Sequence, residues 1–449
     1  MTNTDLIIIG SGPGGYELAA NAAKAGLSVV LCEKDQLGGT CLNRGCIPTK
    51  ALCRNAEILS HVKEAQTYGV EIPSFAADFS KAMERKNQVV AQLQEGIKML
   101  LSNPNITIAQ GVASMKDAHT VVVNEVEYSA KNIVIATGSA PAMLPIPGVD
   151  LPGVITSDEM LSIESLPKRL CIVGGGVIGM EFAGIFSTYG VEVTVVEYCK
   201  EILPNFDKDV AKRLKSSISK NGVKIITGAA VTEISSGENC LLVKYDLKGK
   251  QGEVEADNVL MSVGRRPVLP EGLAETGVEI GRRGIVVDDN MQTSVPGIYA
   301  IGDVNARCML AHAASFQGTR ALNHILGKTD HINFDIIPGA VFTTPELSMV
   351  GLTEAECEAQ GIEVTCKKSM FRGNGKALAM NEAEGIVKLI VRNDNRTIAG
   401  CHICGPHAAD LIQEIVVAMN AGITVDALKD FIHGHPTLGE AVASAIHQF

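Results

Sequence analysis

The sequence of 449 residues predicts an α/β protein in which one strand, turn and helix unit occurs twice, ahead of a C-terminal α+β region. The first copy, residues 5–33, reads as a buried strand, a glycine-rich turn, an alanine-rich helix and a second strand that ends in Glu33. The second copy, residues 170–197, repeats this order and ends in Glu197. The acid lies at the same distance from the first glycine of the turn in both copies. This order is typical of two Rossmann-like dinucleotide-binding domains.

The turn in each copy is rich in glycine because its backbone has to approach a pyrophosphate at the N-terminus of a helix. The acid at the end of the second strand accepts hydrogen bonds from ribose hydroxyls. One copy could instead use its glycines only to pack a helix on a sheet. The candidate cofactor-binding residues of these units are Gly10, Gly12, Gly14, Gly15 and Glu33 in the first copy and Gly174, Gly176, Val177, Ile178, Gly179 and Glu197 in the second.

Glu197 also indicates which nucleotide the second copy binds. Sites for NADP place arginines after the second strand, and a carboxylate there repels the 2′-phosphate. The residues that follow are Tyr198, Cys199 and Lys200. Lys200 remains as one candidate ligand for the 2′-phosphate of NADP, but the pattern as a whole favours NAD.

Two cysteines, Cys41 and Cys46, lie five residues apart directly after the first copy. On a regular helix this separation places their Cα atoms about 8 Å apart. A disulfide bridges at most roughly 7 Å. A pair that stores two electrons therefore needs a distorted backbone here, for which Gly38, Gly39, Gly45 and Pro48 are suited. The alternatives are two unrelated thiols or half of a metal site, although no second ligand pair of matching spacing accompanies them.

Composition limits the possible classes of function. The formal charge of −11 and the pI near 5.5 argue against nucleic acid or an anionic membrane as a partner. A predicted strand begins at residue 5, which leaves no room for a targeting peptide, and the sequence has no apolar run of membrane-spanning length. The 12 cysteines are scattered through core-like segments, which fits a reducing compartment. We therefore expect a cytoplasmic protein.

The motifs divide the chain into stretches. We expect boundaries that give residues 1–149, 150–265, 266–333 and 334–449, the last with short alternating strands and helices. In this last stretch Cys401 and Cys404 have the spacing of a metal or redox half-site. They lie three positions apart on a predicted strand, however, and such residues face opposite sides of a sheet. We expect no metal site.

The sequence from residue 5 to residue 440 resembles the pyridine nucleotide-disulfide oxidoreductases, and among them the dihydrolipoamide dehydrogenases. Six motifs in a fixed order carry this resemblance, at residues 39–50, 136–139, 263–267, 299–303, 309–312 and 435–440. The resemblance implies an FAD-binding domain that the chain leaves and re-enters, an NAD-binding domain and an α+β dimerisation domain. In the order of the chain these are residues 1–149, 150–265, 266–333 (again FAD) and 334–449.

The resemblance implies an enzyme that oxidises protein-bound dihydrolipoamide to lipoamide and reduces NAD⁺ to NADH through a redox-active disulfide and FAD. Such enzymes are the E3 component of 2-oxo acid dehydrogenase or glycine-cleavage systems. The resemblance also implies a homodimer in which the C-terminal segment of one subunit completes the disulfide site of the other. The lipoyl group would arrive in trans on an E2 or H-protein partner, since no lipoyl domain is attached to this N-terminus.

Other functions remain as alternatives. A glutathione-type reductase would need NADPH, and the Glu197 carboxylate would repel its 2′-phosphate. A mercuric reductase would need an extra thiol pair near the C-terminus, yet no cysteine follows Cys404. A non-catalytic flavin-binding scaffold would not need Cys41 and Cys46 together with a histidine and an acid near the C-terminus.

Four residues are candidates for catalysis. By the resemblance, Cys41 exchanges with the substrate and Cys46 lies against the flavin. The ordinary pKa of a histidine side chain suits a general base near neutral pH, so His435 is the candidate base, and Glu440 can orient its ring. The alternative is that His435 belongs only to an exposed His-Pro turn, but the match of residues 435–440 to the family motif favours a general base. His433 is not expected to be that base.

The resemblance also assigns further cofactor-binding residues. Lys50 would lie near flavin N5, with Glu181 as its partner, and Asp303 would accept from the ribityl hydroxyls of FAD. The remaining expected residues are Lys34, Gly39, Thr40, Ala113, Thr137, Gly138, Ser139, Val231, Gly264, Met309, Leu310, Ala311 and His312.

Overall fold

The computed structural model describes residues 2–449, which fold into two compact units. The first unit contains residues 2–51, 81–142 and 264–332. The second contains residues 52–80, 143–263 and 333–449. The predicted α/β fold with two dinucleotide-binding domains and a C-terminal α+β domain is confirmed.

The first unit is built on a seven-stranded sheet. Parallel strands Ile106–Gln110, Val29–Glu33, Thr2–Ile9 and Val126–Ile135 form its centre. The strand Ile298–Ala300 also pairs with Val126–Ile135 in parallel, so the chain returns to this sheet after a long excursion. Two antiparallel strands, Ala113–Met115 and Thr120–Val123, extend one edge.

Two helices of the first unit pack against each other. Pro13–Lys24 follows the glycine-rich turn and packs against Ala311–Ile325, and both helices bury small residues at this contact. The short strands Ser139–Pro141 and Arg265–Pro267 pair antiparallel. The other helices that this unit holds wholly or in part are Gly39–Arg44, Cys46–Lys63 and Phe79–Leu100.

The nucleotide-binding part of the second unit has a five-stranded parallel sheet. Its strands, in spatial order, are Lys224–Thr227, Glu192–Glu197, Arg169–Val173, Asn258–Met261 and Val154–Ile155. An antiparallel sheet of three strands, which the sequence analysis did not predict, is inserted before the last return to the parallel sheet: Ala230–Ser236, Leu241–Leu247 and Lys250–Ala256. The helices are Ser157–Met160, Val177–Thr188 and Lys208–Lys220.

The C-terminal part of the second unit contains a five-stranded antiparallel sheet. In spatial order its strands are Gly339–Val341, Glu346–Gly351, Ile398–Gly405, Ile386–Arg392 and Val364–Met370. Its helices are Glu354–Ala359, Gly375–Ala379, Ala408–Asn420, Val425–Leu428 and Gly439–Ile446.

The two central strands of this sheet differ from the expected alternating pattern. Ile386–Arg392 and Ile398–Gly405 are buried on both faces. Helices Ala408–Asn420 and Gly439–Ile446 cover one face of these strands, and helix Lys208–Lys220 packs on the other. Neither face of the two strands is therefore exposed to solvent. Buried on both sides, these strands lose the polar alternation of a half-exposed sheet.

Two other sequence features have simple structural outcomes. Cys401 and Cys404 lie in one buried strand, as predicted, and burial raises the pKa of Cys404 to about 12. Across residues 2–449, none of the helices combines the length and apolar character needed to span a bilayer.

Candidate active site

The first glycine-rich turn brings backbone segments into close contact and leaves one position open. A Cβ on Gly10, whose φ is +104°, would lie 2.4 Å from the carbonyl oxygen of Ala136. A Cβ on Gly15 would lie 1.9 Å from the carbonyl oxygen of Gly10. Around Gly12 there is open space. Packing therefore requires the two outer glycines, while Gly12 leaves room for a pyrophosphate at the start of the helix Pro13–Lys24.

The second turn repeats this arrangement. A Cβ on Gly174 would lie 2.5 Å from the carbonyl oxygen of Ser262, and one on Gly179 would lie 2.1 Å from the carbonyl oxygen of Gly174. Gly176 faces open space and is the N-cap of the helix Val177–Thr188. A glycine cannot cap a helix with a side chain, so the first amides of both helices remain available to an anion. Both turns fit a dinucleotide.

Each turn holds the acid that ends its second strand. The Glu33 carboxylate accepts hydrogen bonds from the Ser11 amide at 3.0 Å and the Ser11 hydroxyl at 2.6 Å. The Glu197 carboxylate accepts from the amides of Gly175 and Cys199. Both acids are 7% exposed. They are thus fixed at the carboxyl ends of parallel strands, where a ribose would lie.

A second group of polar contacts in the first unit joins Ser139, Asp303 and Arg265. The Ser139 hydroxyl donates to Asp303 at 2.5 Å, and Arg265 Nε donates to the same hydroxyl oxygen at 2.7 Å. Gly138 has φ +66° and faces open space, and the Thr137 hydroxyl bonds to a backbone carbonyl of the same unit. The Ser139 hydroxyl therefore fixes the Asp303 carboxylate, and the contact of Asp303 with the ribityl hydroxyls of FAD stays a prediction.

The helix is interrupted between the two cysteines, as their spacing requires. The helix Gly39–Arg44 contains Cys41 and ends before Gly45, whose φ of −145° and ψ of −115° are not helical. A new helix, Cys46–Lys63, begins with the second cysteine. A Cβ on Gly45 would lie 2.9 Å from the carbonyl oxygen of Thr40, so this turn between helices needs glycine.

The two cysteines interact as thiols in this structure. The Cys41 side chain hydrogen-bonds to Cys46, and this bond, followed by burial, raises the pKa of Cys41. The nearby ammonium of Lys50 lowers that pKa in part. Cys46 is exposed, and Lys50 lies one helical turn after it. A cation close to the pair favours the thiolate that disulfide exchange requires.

Glu181 is the acid that the sequence analysis pairs with Lys50. It lies in the second unit, on the helix Val177–Thr188, and is only 3% exposed. Its Oε1 accepts a hydrogen bond from the Phe342 amide at 3.0 Å. This bond fixes the carboxylate, and its expected pairing with Lys50 stays a prediction.

His435 and Glu440 form a pair within one chain. Nδ1 of His435 lies 2.9 Å from Oε1 of Glu440, and the Thr437 amide donates to Oε2 at 2.9 Å. These contacts, the backbone bond first and His435 second, lower the pKa of Glu440. With the carboxylate on Nδ1, the imidazole presents Nε2 outward, which is the arrangement of a general base.

A second histidine–carboxylate pair, not predicted, anchors the same segment. Nε2 of His433 lies 2.9 Å from Glu414, which is on the helix Ala408–Asn420. The His433 side chain is 16% exposed, compared with 79% for His435. His433 therefore anchors the backbone, and His435 is the more exposed of the two histidines.

The remaining predicted cofactor residues are distributed along these elements. Gly264 has φ +111° and faces open space. A Cβ on Gly39 would lie 2.7 Å from Cα of Gly12, so the start of the helix Gly39–Arg44 contacts the first glycine-rich turn. The first unit holds Gly14, Lys34, Thr40, Ala113, Met309, Leu310, Ala311 and His312, and the second holds Val177, Ile178 and Val231.

Several polar residues with structural roles were not found from the sequence. Ser11 and Arg265 hold the predicted acids and hydroxyls of the first unit, and Glu414 holds His433. A buried lysine, Lys388, also contacts three carboxylates. Ser11, inside a glycine-rich turn, offered a local signal, whereas the partners of Lys388 are far away in the sequence and offered none.

Comparison with known proteins agrees with this geometry. Residues 4–318 match the pyridine nucleotide-disulphide oxidoreductase domain, and residues 337–446 match the dimerisation domain of the same family. The match to a dimerisation domain supports a homodimer.

Related sequences and structures cover nearly the whole chain. The dihydrolipoyl dehydrogenase of Geobacillus stearothermophilus is 38% identical over 98% of this chain and 95% of its own length. That of Mycoplasma pneumoniae is 40% identical over 98% of this chain and 97% of its own. The HOCl-induced flavoprotein disulfide reductase RclA from Escherichia coli superposes with a TM-score of 0.89 at 31% identity, covering 99% of both chains. The chain belongs to the pyridine nucleotide-disulfide oxidoreductase family.

Proposed function

We propose that this chain is a dihydrolipoyl dehydrogenase, which converts dihydrolipoamide and NAD⁺ into lipoamide, NADH and a proton. The observation that carries the proposal is the Cys41–Cys46 pair, which lies at an interruption between two helices with Lys50 nearby. The same chain has two glycine-rich turns that each leave room for a dinucleotide. The identity of 38–40% with curated dihydrolipoyl dehydrogenases supports this substrate over other disulfides.

The reacting form contains the Cys41–Cys46 disulfide. The first substrate thiol loses its proton to solvent, and its thiolate attacks Sγ of Cys41, so that the sulfur–sulfur bond breaks and Cys46 leaves as a thiolate. The second substrate thiol loses its proton to His435 and attacks the substrate sulfur of the mixed disulfide. Cys41 is released, and the substrate leaves as cyclic lipoamide. The chain now holds two electrons and one proton from the substrate.

His435 takes the proton at Nε2, because Glu440 occupies Nδ1. The ionised Glu440 stabilises the imidazolium that results. In the proposed homodimer, His435 acts on the cysteine pair of the other subunit.

The FAD site is proposed to comprise the first turn, Glu33, Ser139 and Asp303, and the NAD site the second turn and Glu197. FAD bound in this site would supply the two-electron chemistry that links the dithiol to NAD⁺. Lys50 and Glu181 would keep a positive charge near the flavin. Glu197 would exclude NADP by repelling its 2′-phosphate.

The substrate would arrive on the lipoyl group of an E2 or H-protein partner in trans. We place the enzyme in the cytoplasm, because the Cys41–Cys46 pair cycles between disulfide and dithiol and so needs a reducing compartment.

The test is steady-state turnover with dihydrolipoamide and NAD⁺, set beside glutathione disulfide and NADPH. Turnover of the first pair at least a hundredfold above the second is expected. A preference for glutathione disulfide and NADPH would replace the proposal with the glutathione-type alternative. Absence of turnover with every pair, in protein that holds FAD, would leave a flavin-binding scaffold.

A further inference from the structure

Lys388 is a fully buried lysine in the centre of the C-terminal sheet, with 0% of its side chain exposed. Its Nζ donates to both oxygens of Asp207, at 3.0 and 2.8 Å, to Asp209 at 2.8 Å and to Glu354 at 2.7 Å. Lys368 contacts Asp209 at 2.8 Å. The cluster thus joins strands of the C-terminal sheet to the start of a helix in the nucleotide-binding part.

That helix, Lys208–Lys220, has Asp207 as its N-cap. The Asp207 side chain accepts from the Asp209 amide at 2.9 Å, and only 2% of Asp207 is exposed. Lys388 therefore holds the residue at which a loop ends and a helix begins. This loop, residues 198–206, is the segment that follows Glu197, the acid proposed to bind the ribose of NAD.

The loop also touches the glycine-rich turn directly. The Leu203 amide donates to the carbonyl oxygen of Gly175 at 2.9 Å, and a Cβ on Gly175 would lie 3.1 Å from the Ile202 side chain. The Gly175 amide in turn donates to Glu197. One continuous set of contacts thus runs from Lys388 through Asp207 and the loop to the turn.

Leu203 has φ +49°, which is unusual for a residue with a branched side chain. A residue keeps such a conformation only where its surroundings hold it there. The surroundings here are the bond to Gly175, the burial of Leu203 at 2% exposure and the fixed end of the loop at Asp207.

We infer that Lys388 is a positioning residue for the pyridine nucleotide: through Asp207 it fixes the loop 198–206 against the glycine-rich turn and so sets the shape of the ribose and pyrophosphate site. The inference rests on the proposed binding of NAD at this turn. Lys388 acts on binding of the nucleotide, and it has no part in the exchange of thiols.

The test removes one charge at a time from around the same ammonium. Asp207→Asn keeps a good N-cap and weakens the hold on the loop. Glu354→Gln is the matched control, because Glu354 contacts the same Nζ but belongs to a helix of the C-terminal part. Substitution of Lys388 itself is avoided, since it would leave three carboxylates together without their shared cation. Asp207→Ser is a second variant that can also cap the helix.

Three measurements on the FAD-loaded dimer test the inference. Calorimetric titration with ADP-ribose, which cannot accept a hydride, should give a dissociation constant raised about fivefold in Asp207→Asn and less than about twofold in Glu354→Gln. Hydrogen exchange should speed up at residues 198–206 in the Asp207 variants only. Reduction of the enzyme by dihydrolipoamide should stay at the wild-type rate.

Equal effects of the Asp207 and Glu354 variants, or unchanged exchange of the loop in both Asp207 variants, would overturn the inference. A wild-type protein that binds no ADP-ribose would overturn the proposed NAD site, and the exchange measurement would still decide whether Lys388 holds the loop. Slowed reduction by dihydrolipoamide in Asp207→Asn would mean a general loss of structure and would also count against the inference.

Discussion

Nδ1 of His435 lies 2.9 Å from Oε1 of Glu440, and the imidazole remains 79% exposed. The pair is therefore complete within one chain before any substrate meets it. The hydrogen bond from the Thr437 amide is the main cause of the lowered pKa of Glu440. The carboxylate therefore stays ionised at pH values below the ordinary pKa of a glutamate. The acid is thus charged at every pH at which a histidine can act as a base.

We expect His435→Gln to lower kcat for dihydrolipoamide oxidation about 100- to 1000-fold, because the substrate thiol loses its proton acceptor. Glu440→Gln should lower kcat about 10- to 100-fold, because a neutral amide orients the ring but does not stabilise the imidazolium. Stopped-flow measurement of flavin reduction separates this step from NAD⁺ reduction. His447→Gln, an exposed histidine on the same segment, is the control. An unchanged kcat in Glu440→Gln would remove the pair from the mechanism.

Cys41→Ser should abolish dihydrolipoamide oxidation while FAD stays bound. A serine hydroxyl is similar in size to a thiol but cannot form or leave a disulfide. The flavin spectrum and the turnover rate are the two measurements. Cys240→Ser, a cysteine of the second unit outside the proposed chemistry, should keep wild-type turnover. Full activity in Cys41→Ser would show that the disulfide takes no part.

The two kinds of glycine in the first turn should respond differently to alanine. Gly12 has φ −64° and open space around it, so Gly12→Ala should fold but lose FAD, because the methyl group occupies the space of the pyrophosphate. Gly15→Ala places a methyl group 1.9 Å from the carbonyl oxygen of Gly10 and should destabilise the fold itself by about 2–3 kcal/mol or more. Thermal unfolding and flavin content distinguish the two. Equal FAD content in Gly12→Ala and wild type would contradict the proposed site.

NAD should be preferred over NADP, and Glu197→Arg should narrow or reverse the preference. The carboxylate that repels a 2′-phosphate becomes a cation that can bind it. The ratio of kcat/KM for the two nucleotides is the measurement, and we expect a change of at least about tenfold. Glu253→Arg, at an exposed position of the strand Lys250–Ala256, is a control of equal charge change. Wild-type protein that turned over both nucleotides equally would show that Glu197 does not select between them.

Local chemistry explains which parts of the site could be predicted from the sequence. Gly15 and Gly179 must be glycine because a Cβ would meet the carbonyl oxygens of Gly10 and Gly174, five residues earlier, so this part of the pattern has a local cause and is visible in the sequence. The break at Gly45 was predictable because a regular helix cannot bring Cys41 and Cys46 together. The α/β class follows from the same repeated units.

Contacts between distant segments explain what could not be predicted. Lys388 lies in an apolar strand and contacts Asp207, which is separated from it by 181 positions. Nothing near either residue indicates the other. The strands Ile386–Arg392 and Ile398–Gly405 likewise owe their burial on both faces to helices from elsewhere in the chain. The position of Glu414 beside His433 depends on the same tertiary packing.

The last prediction concerns the homodimer, in which each active site is proposed to take its cysteines from one subunit and His435 from the other. A chain with Cys41→Ser and Cys46→Ser, mixed with a His435→Gln chain, should form heterodimers in which one of two sites is complete. After subunit exchange in equal amounts, activity should return to about a quarter of the wild-type value, because half of the dimers are mixed and each has one working site. Neither parent should turn over appreciably, and dimers separated by affinity tags show whether exchange took place. Purified, folded heterodimers without activity would mean that His435 serves the cysteines of its own chain, since in that arrangement neither subunit of the mixed dimer holds both a base and a disulfide.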